Sequence, residues 1–162
     1  MIKAYPTYFK NCLNLWSQGT GNMDSGTEYS RQQFNEYGDN IYDRPSLVPE
    51  IDFSSVHIPA ICDATVDRIN ALDRQLKEKG ATLLVAAYPT PICEYTPDRE
   101  EYVAFSDEID ARLTCPLISR YEDYMMDKEL FYNTYLHLNN KGVQVRTGLL
   151  IEDLQRYLGG SQ

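Results

Sequence analysis

The sequence predicts an α/β domain with a parallel sheet, and three observations carry that expectation. The run Ala81–Tyr88 is apolar at successive positions rather than alternate ones. That is the signature of a strand covered on both faces, which is normally a parallel one. Apolar residues spaced by three and four, as in helices, lie on either side of it. From Pro59 onward the order reads helix, strand, helix, strand, loop, helix, which suits a parallel sheet joined by right-handed crossovers.

Each element has its own local reason. Tyr5, Phe9, Cys12, Leu13 and Trp16 have helical spacing, with Gly19 and Gly21 as stops. Residues 21–58 lose that period and are rich in Gly, Asn, Asp, Ser and Pro, which predicts loops with one or two short strands or turns around Tyr29–Tyr37. Ile61, Cys62, Val66, Ile69, Leu72 and Leu76 then define one face of a helix of about five turns, with Gly80 as its stop. The strand Ala81–Tyr88 follows and is cut off by Pro89-Thr90-Pro91. Thr96 as cap, Pro97 at the first helical position and Asp98, Glu100 and Glu101 near the positive end of the dipole predict a second helix. Its apolar face is Tyr102, Phe105, Ile109 and Leu113. Cys115–Ser119 reads as a second strand. The last helix begins near Asn139 or Asn140, with Val143, Thr147, Leu150, Leu154 and Tyr157 on one face. Residues 1–58 are thus an irregular N-terminal segment, and 59–162 the regular α/β part. Two strands are few for a doubly wound sheet. Either the first third adds strands, or the chain is the later part of a larger fold.

Composition limits the function. The 162 residues carry 24 acids against 15 bases, a formal charge of −9. Such a surface repels phosphate backbones and anionic lipid, so no nucleic-acid partner is expected. The longest apolar run is far below the ~20 residues that span a bilayer. The start Met1–Pro6 lacks an apolar signal-peptide core, so the cytoplasm is the default for the chain as written, and an export signal would have to precede Met1. Cys12, Cys62, Cys93 and Cys115 form no CxxC pair and the chain has 2 histidines, so no metal and no cofactor is expected. Four reduced, mostly buried thiols are expected instead. The 13 tyrosines suit half-buried surfaces and sugar-contacting clefts, and equally an ordinary core.

The chemistry-bearing segment is Phe131–Gly142, running into Val143–Leu150. His137 stands on a loop just before a helix capped by asparagine, where the positive end of the dipole disfavours imidazolium. Such a histidine either caps or packs beside the helix start, or serves as a base once it has a nucleophile. The run His137-Leu138-Asn139, two residues, Gly142, then Arg146-Thr147 and Leu149-Leu150 resembles the last signature block of SGNH hydrolases, the GDSL-type esterases. The resemblance extends through Leu83–Tyr88 with Pro89-Thr90-Pro91 and through Pro116–Ser119, covering roughly Pro59 to Leu158. Residues 28–44, with Phe34–Asp39, also look like the variable middle of some bacterial members. The resemblance implies a partial flavodoxin-like three-layer α/β/α fold with its early strands missing. It also implies serine esterase chemistry on an acyl ester of a small molecule, carbohydrate or lipid. His137 would be the base, and an acid a few residues earlier would orient it.

Three departures stand against that. No strand-borne Gly-Asp-Ser block exists; Met23-Asp24-Ser25-Gly26 follows a glycine-rich loop instead. Gly38-Asp39-Asn40 has the letters of the oxyanion block in another order and reads as a turn. The position of the triad acid is Asn133, and an Asp→Asn change in the serine-protease template costs about 10⁴ in turnover. Cys93, just past the strand, is a chemically sound substitute nucleophile for an acyl transferase, or a small buried hydrophobe. His57 reads as a loop residue, and Glu122, Asp123 and Asp127 as a solvated acidic turn. The expectation is an ester hydrolase portion that is inactive alone. Its rival is a non-catalytic binding module of degenerate hydrolase fold. An uncovered edge at Leu83–Tyr88 would favour self-association.

Overall fold

The computed structural model describes residues 33–48 and 51–159. The expected helix at 1–20, Ser25 and Cys12 lie outside them. The chain divides into two units, 1–43 and 44–162.

Within the first unit, residues 33–43 form a tight turn. Phe34 and Asn40 make an antiparallel bridge, and Gly38 takes φ +85°. The Asn35 side-chain oxygen accepts from the backbone N–H of Tyr37 and of Asp39, at 3.0 and 2.9 Å. Gly38-Asp39-Asn40 is therefore turn chemistry, as its residue types dictate.

The second unit is mixed α/β. Helix α1 spans Asp63–Lys77. It ends as Gly80 requires, with φ +72° there and the Ala81 N–H reaching back to the Leu76 carbonyl at 3.0 Å. Its inward face differs from the expected one. Val66 and Asp73 are buried, while Cys62 and Leu72 are exposed. The cause is polar. Asp73 Oδ2 takes bonds from Lys77 Nζ and Thr114 Oγ1, both at 2.7 Å, and Asn70 bonds the Arg112 carbonyl at 2.9 Å and the Thr114 N–H at 2.8 Å. These bonds turn the polar stripe toward the body. The Lys77 hydrogen bond is also the main reason that the Asp73 carboxyl sits below its usual range.

The run 81–88 is extended but is not a regular strand. Only Val85 pairs, parallel to Leu117, through the Pro116 carbonyl at 3.0 Å and the Ile118 N–H at 2.8 Å. Ala87 N–H bonds the Ser119 hydroxyl instead, and Tyr88 is exposed. The regular pairing falls just beyond, where the prolines were expected to stop it. Strand β1 (Thr90–Ile92) lies parallel to β2 (Met125–Asp127), with Thr90 opposite Met125. The offset between paired residues grows by three from Val85/Leu117 to Thr90/Met125. The 3-10 turn Tyr121–Asp123, which lies between them, takes up that difference. One parallel track is thus broken in two by a turn, so the long strand expected at Ala81–Tyr88 does not form.

Helix α2 spans Arg99–Arg112. Its cap is Asp98 rather than Thr96, because Glu101 returns a bond to the Asp98 N–H at 3.1 Å and completes a capping box. Thr96 closes the turn before it, accepting from Cys93 N–H at 2.9 Å and donating to the Pro91 carbonyl at 2.6 Å. Glu122 is buried rather than solvated. It is held by Ser106 Oγ at 2.7 Å and Arg120 Nε at 2.8 Å. Burial pushes its carboxyl up, but these bonds outweigh burial and leave it lowered.

Helix α3 spans Asn140–Gly159, starting where the sequence predicts. Its inward face holds Gly142 and Asp153, whereas Val143 and Thr147 are exposed. The Asp153 carboxylate accepts the Tyr124 hydroxyl at 2.8 Å and pairs with Arg156 at 2.8 Å. The core gathers Ala87, Tyr124, Met126, Phe131 and Leu138, with Leu47, Tyr121, Leu130 and Leu149 packed against it. Of the cysteines described, Cys115 alone is buried, Cys62 is exposed and all three are free thiols. No helix among the described residues is long and apolar enough to cross a membrane.

Candidate functional site

The loop before α3 is built by its own backbone. Phe131 and Leu138 form an antiparallel bridge. Tyr132 N–H bonds the His137 carbonyl at 2.8 Å, and His137 N–H bonds the Thr134 carbonyl at 3.2 Å. The five residues between Tyr132 and the bridge partner thereby fold into a short hairpin turn, with His137 at its returning end and half-buried.

Asn139 locks that hairpin to the helix. Its side-chain oxygen accepts the Gly142 N–H at 2.9 Å, the bond of an N-cap. Its side-chain nitrogen donates to the carbonyls of Glu129, at 2.7 Å, and Phe131, at 3.1 Å. The amide is 2% exposed, and only Asn supplies an acceptor and two donors in that geometry. Gly142 is needed for a different reason. A Cβ there would stand 2.1 Å from the Leu130 carbonyl oxygen. The His-Leu-Asn…Gly pattern is thus the means by which the hairpin is seated on the helix start.

His137 Nδ1 lies 2.9 Å from Asn133 Oδ1. If the amide oxygen faces the ring, it can only accept, so Nδ1 carries the proton and the neutral ring keeps its lone pair on Nε2. Both residues singled out in the sequence are therefore in contact. Asn133 can fix the tautomer, and as a neutral group it adds no charge to stabilise imidazolium.

Cys93 sits elsewhere in the turn after β1, with its Sγ 3.3 Å from Thr96 Oγ1. Asp123 pairs with Arg99 at 2.8 Å, and the Asp127 carboxylate accepts the Glu129 N–H at 2.9 Å. Asp127 thus closes a local turn, whereas Asp123 ties the 3-10 turn to the start of α2. Among the described residues no group of three or more His, Cys, Asp or Glu could hold a metal ion.

A second feature was not legible in the sequence. A cavity of about 340 Å³ opens beside the same hairpin, with Tyr135 and Leu136 in its wall. Tyr88, Tyr102, Phe105 and Tyr121 add further rings, and among the described residues no Asp, Glu, Lys or Arg lines it. Phe105 and Tyr121 meet edge to face, with centroids 4.9 Å apart. The Tyr88 hydroxyl donates to the Leu136 carbonyl, tying this wall to the His137 turn. His57 also lines the cavity, its Nδ1 2.6 Å from the Ser55 carbonyl. The thirteen tyrosines were the one hint of such a place, and their count carried no position.

Comparison of the chain with protein-family models, with characterised proteins and with solved structures gives no match.

Proposed function

We propose that this chain is the C-terminal portion of an SGNH-like ester hydrolase, with His137 as general base and Asn133 as the residue that orients it. The observation that supports the reading most directly is the 2.9 Å contact between His137 Nδ1 and Asn133 Oδ1. It leaves Nε2 as the acceptor that a hydroxyl nucleophile needs. The half-open ring and its position at the start of α3 are consistent with that role. In this reading the two-stranded parallel sheet is part of a flavodoxin-like α/β/α fold. Its early strands would bear the serine and the oxyanion donors, and the substrate is an O-acyl ester of a small molecule, carbohydrate or lipid. Among the described residues Val85 pairs with Leu117 alone, so in this reading Leu84 and Ala86 offer the edge that those strands, or a second copy of the chain, would occupy.

The 162-residue chain alone should not hydrolyse p-nitrophenyl acetate above buffer, because a lone imidazole lacks covalent catalysis and an oxyanion hole. The decisive experiment uses the coding sequence upstream of Met1. A protein extended to include a strand-borne serine should hydrolyse the ester, lose activity with His137→Ala, and gain with Asn133→Asp. Activity in the short chain that vanishes with Ser25→Ala or Cys93→Ala would overturn the missing-nucleophile reading. Activity in the extended protein that is indifferent to His137→Ala would overturn the base assignment. The second reading, a binding module without catalysis, draws its support from the aromatic cavity, which His137 does not line.

A further inference from the structure

Helix α3 carries an apolar stripe that faces away from its own core. Val143, Thr147, Leu150, Leu154 and Leu158 follow one another in steps of four, three, four and four, the spacing of a seam between paired helices. Ile151 widens it. The side of α3 turned to the core is another one, with Gly142, Leu149 and Asp153. Val143 is therefore 37% exposed, Ile151 49% and Leu158 63%, while Leu150 and Leu154 are half-buried. These positions run together over about 22 Å of helix rather than standing singly, and a contiguous patch of that kind marks an interface.

The charge pattern selects the partner. The chain carries a formal charge of −9, and 24% of its residues are charged. None of the six stripe positions is charged, nor are Gln144 and Gln155 along the outer rim. A basic partner would find no carboxylate there to pair with. Two copies of an acidic chain repel one another, and a charge-free face lets them meet without opposing like charges. The stripe is also self-complementary. With two copies antiparallel about a two-fold axis between Leu150 and Ile151, Val143 comes level with Leu158 of the other copy, and Thr147 with Leu154. Leu150 and Ile151 each lie beside their own counterparts at the axis. Gln144 falls within a turn of the other copy's Gln155, where the amides can exchange hydrogen bonds. The opposed helix dipoles favour this direction over the parallel one.

We infer that the outer face of α3 is a homodimer interface, through which two copies of this chain pair antiparallel. A single helix pair is a small interface, so the dimer is reversible and micromolar. It uses a different element from the edge at Val85, goes beyond the hydrolase reading and does not depend on it.

The test is sedimentation equilibrium of the 162-residue chain between about 1 and about 300 µM. The expected result is a monomer–dimer equilibrium that tightens as salt rises from about 0.05 to about 0.5 M, because salt screens the repulsion between the two −9 chains. Ile151→Glu or Ile151→Lys places like charges side by side at the axis, and each variant alone should associate at least about tenfold more weakly. An equimolar mixture of the two should regain the dimer, which a folding defect could not do. Val145→Glu is the control. Val145 is 40% exposed on the same helix but outside the stripe, so this variant should dimerise like the native chain. A native chain that stays monomeric over the whole range would overturn the inference. So would a dimer indifferent to both Ile151 variants, a mixture of the two that stays monomeric, or a dimer that weakens as salt rises. A monomer that binds neutral phosphatidylcholine vesicles, and loses that binding with Ile151→Glu, would overturn it in favour of a lipid surface.

Discussion

Replacing Gly142 by alanine tests how the hairpin is seated on α3. An added Cβ would stand 2.1 Å from the Leu130 carbonyl oxygen, where real Cβ contacts do not fall below 3.0 Å. The obstacle is backbone and cannot swing away like a side chain. Leu130 or the first turn of α3 must retreat by close to an ångström. That carbonyl also accepts the Asn139 N–H at 2.9 Å, so the retreat strains the residue that caps the helix. Overpacking of this kind costs ~1–3 kcal/mol, and a weakened cap adds ~1 kcal/mol. Against this, alanine in a helix gains ~1 kcal/mol over glycine. The net expectation is a loss of ~1–3 kcal/mol, or roughly 2–12 °C in Tm for a chain of this size. Gly148 lies in the same helix with nothing within 4 Å of an added Cβ. Gly148→Ala should therefore stabilise by ~0.5–1 kcal/mol. Urea unfolding of both variants, with unchanged m-values, makes the comparison internal. If Gly142→Ala proves as stable as Gly148→Ala, the close approach does not exist as described, and the account of the Asn139–Gly142 lock fails with it.

Other outcomes follow from the buried polar groups. Asn139→Asp keeps the cap acceptor but turns a carboxylate toward the Glu129 and Phe131 carbonyls. It should cost ~1–3 kcal/mol at pH 7 and recover part of that in acid, as read by thermal melts across pH. Tyr124 is pushed up to about 12 by burial first and then by its bond to Asp153. The folded state thus holds its proton more tightly, and stability present below pH 10 should fall as pH rises toward 12. Tyr124→Phe should show a flatter alkaline limb and, with Asp153 left to Arg156 alone among the partners named, a loss of ~1–3 kcal/mol at neutral pH. Glu122 has the opposite sign. Its lowered carboxyl contributes stability above pH 4.5 that is lost as pH falls through the folded value. Glu122→Gln should be less stable at pH 7 and lose less on acidification; equal acid limbs would refute the assignment.

The sequence by itself determined the three described helices and some of their ends, those that depend on local chemistry. Gly80 stops α1 because a left-handed residue is cheap only there. Asn139 starts α3 because its side chain satisfies a free N–H at the helix start. Gly38-Asp39-Asn40 turns for equally local reasons. The contact of Asn133 with His137 was also within reach of sequence, since four residues of a tight loop bring the two side chains together. The inward faces were decided by tertiary structure. Asp73, Glu122 and Asp153 look like surface carboxylates in any window of sequence. Each is buried because a hydroxyl and a cation from elsewhere or from the next turn meet it: Thr114 and Lys77, Ser106 and Arg120, Tyr124 and Arg156. The parallel pairing of Thr90–Ile92 with Met125–Asp127 was hidden by Pro91, whose missing N–H usually argues against a strand. The cavity was beyond sequence altogether. His57, Tyr88, Tyr102 and Tyr135 are far apart along the chain, and only the folding of three loops onto α2 brings them to one wall. A hydrogen bond within four residues leaves a pattern in the sequence, whereas a wall assembled across eighty residues leaves none.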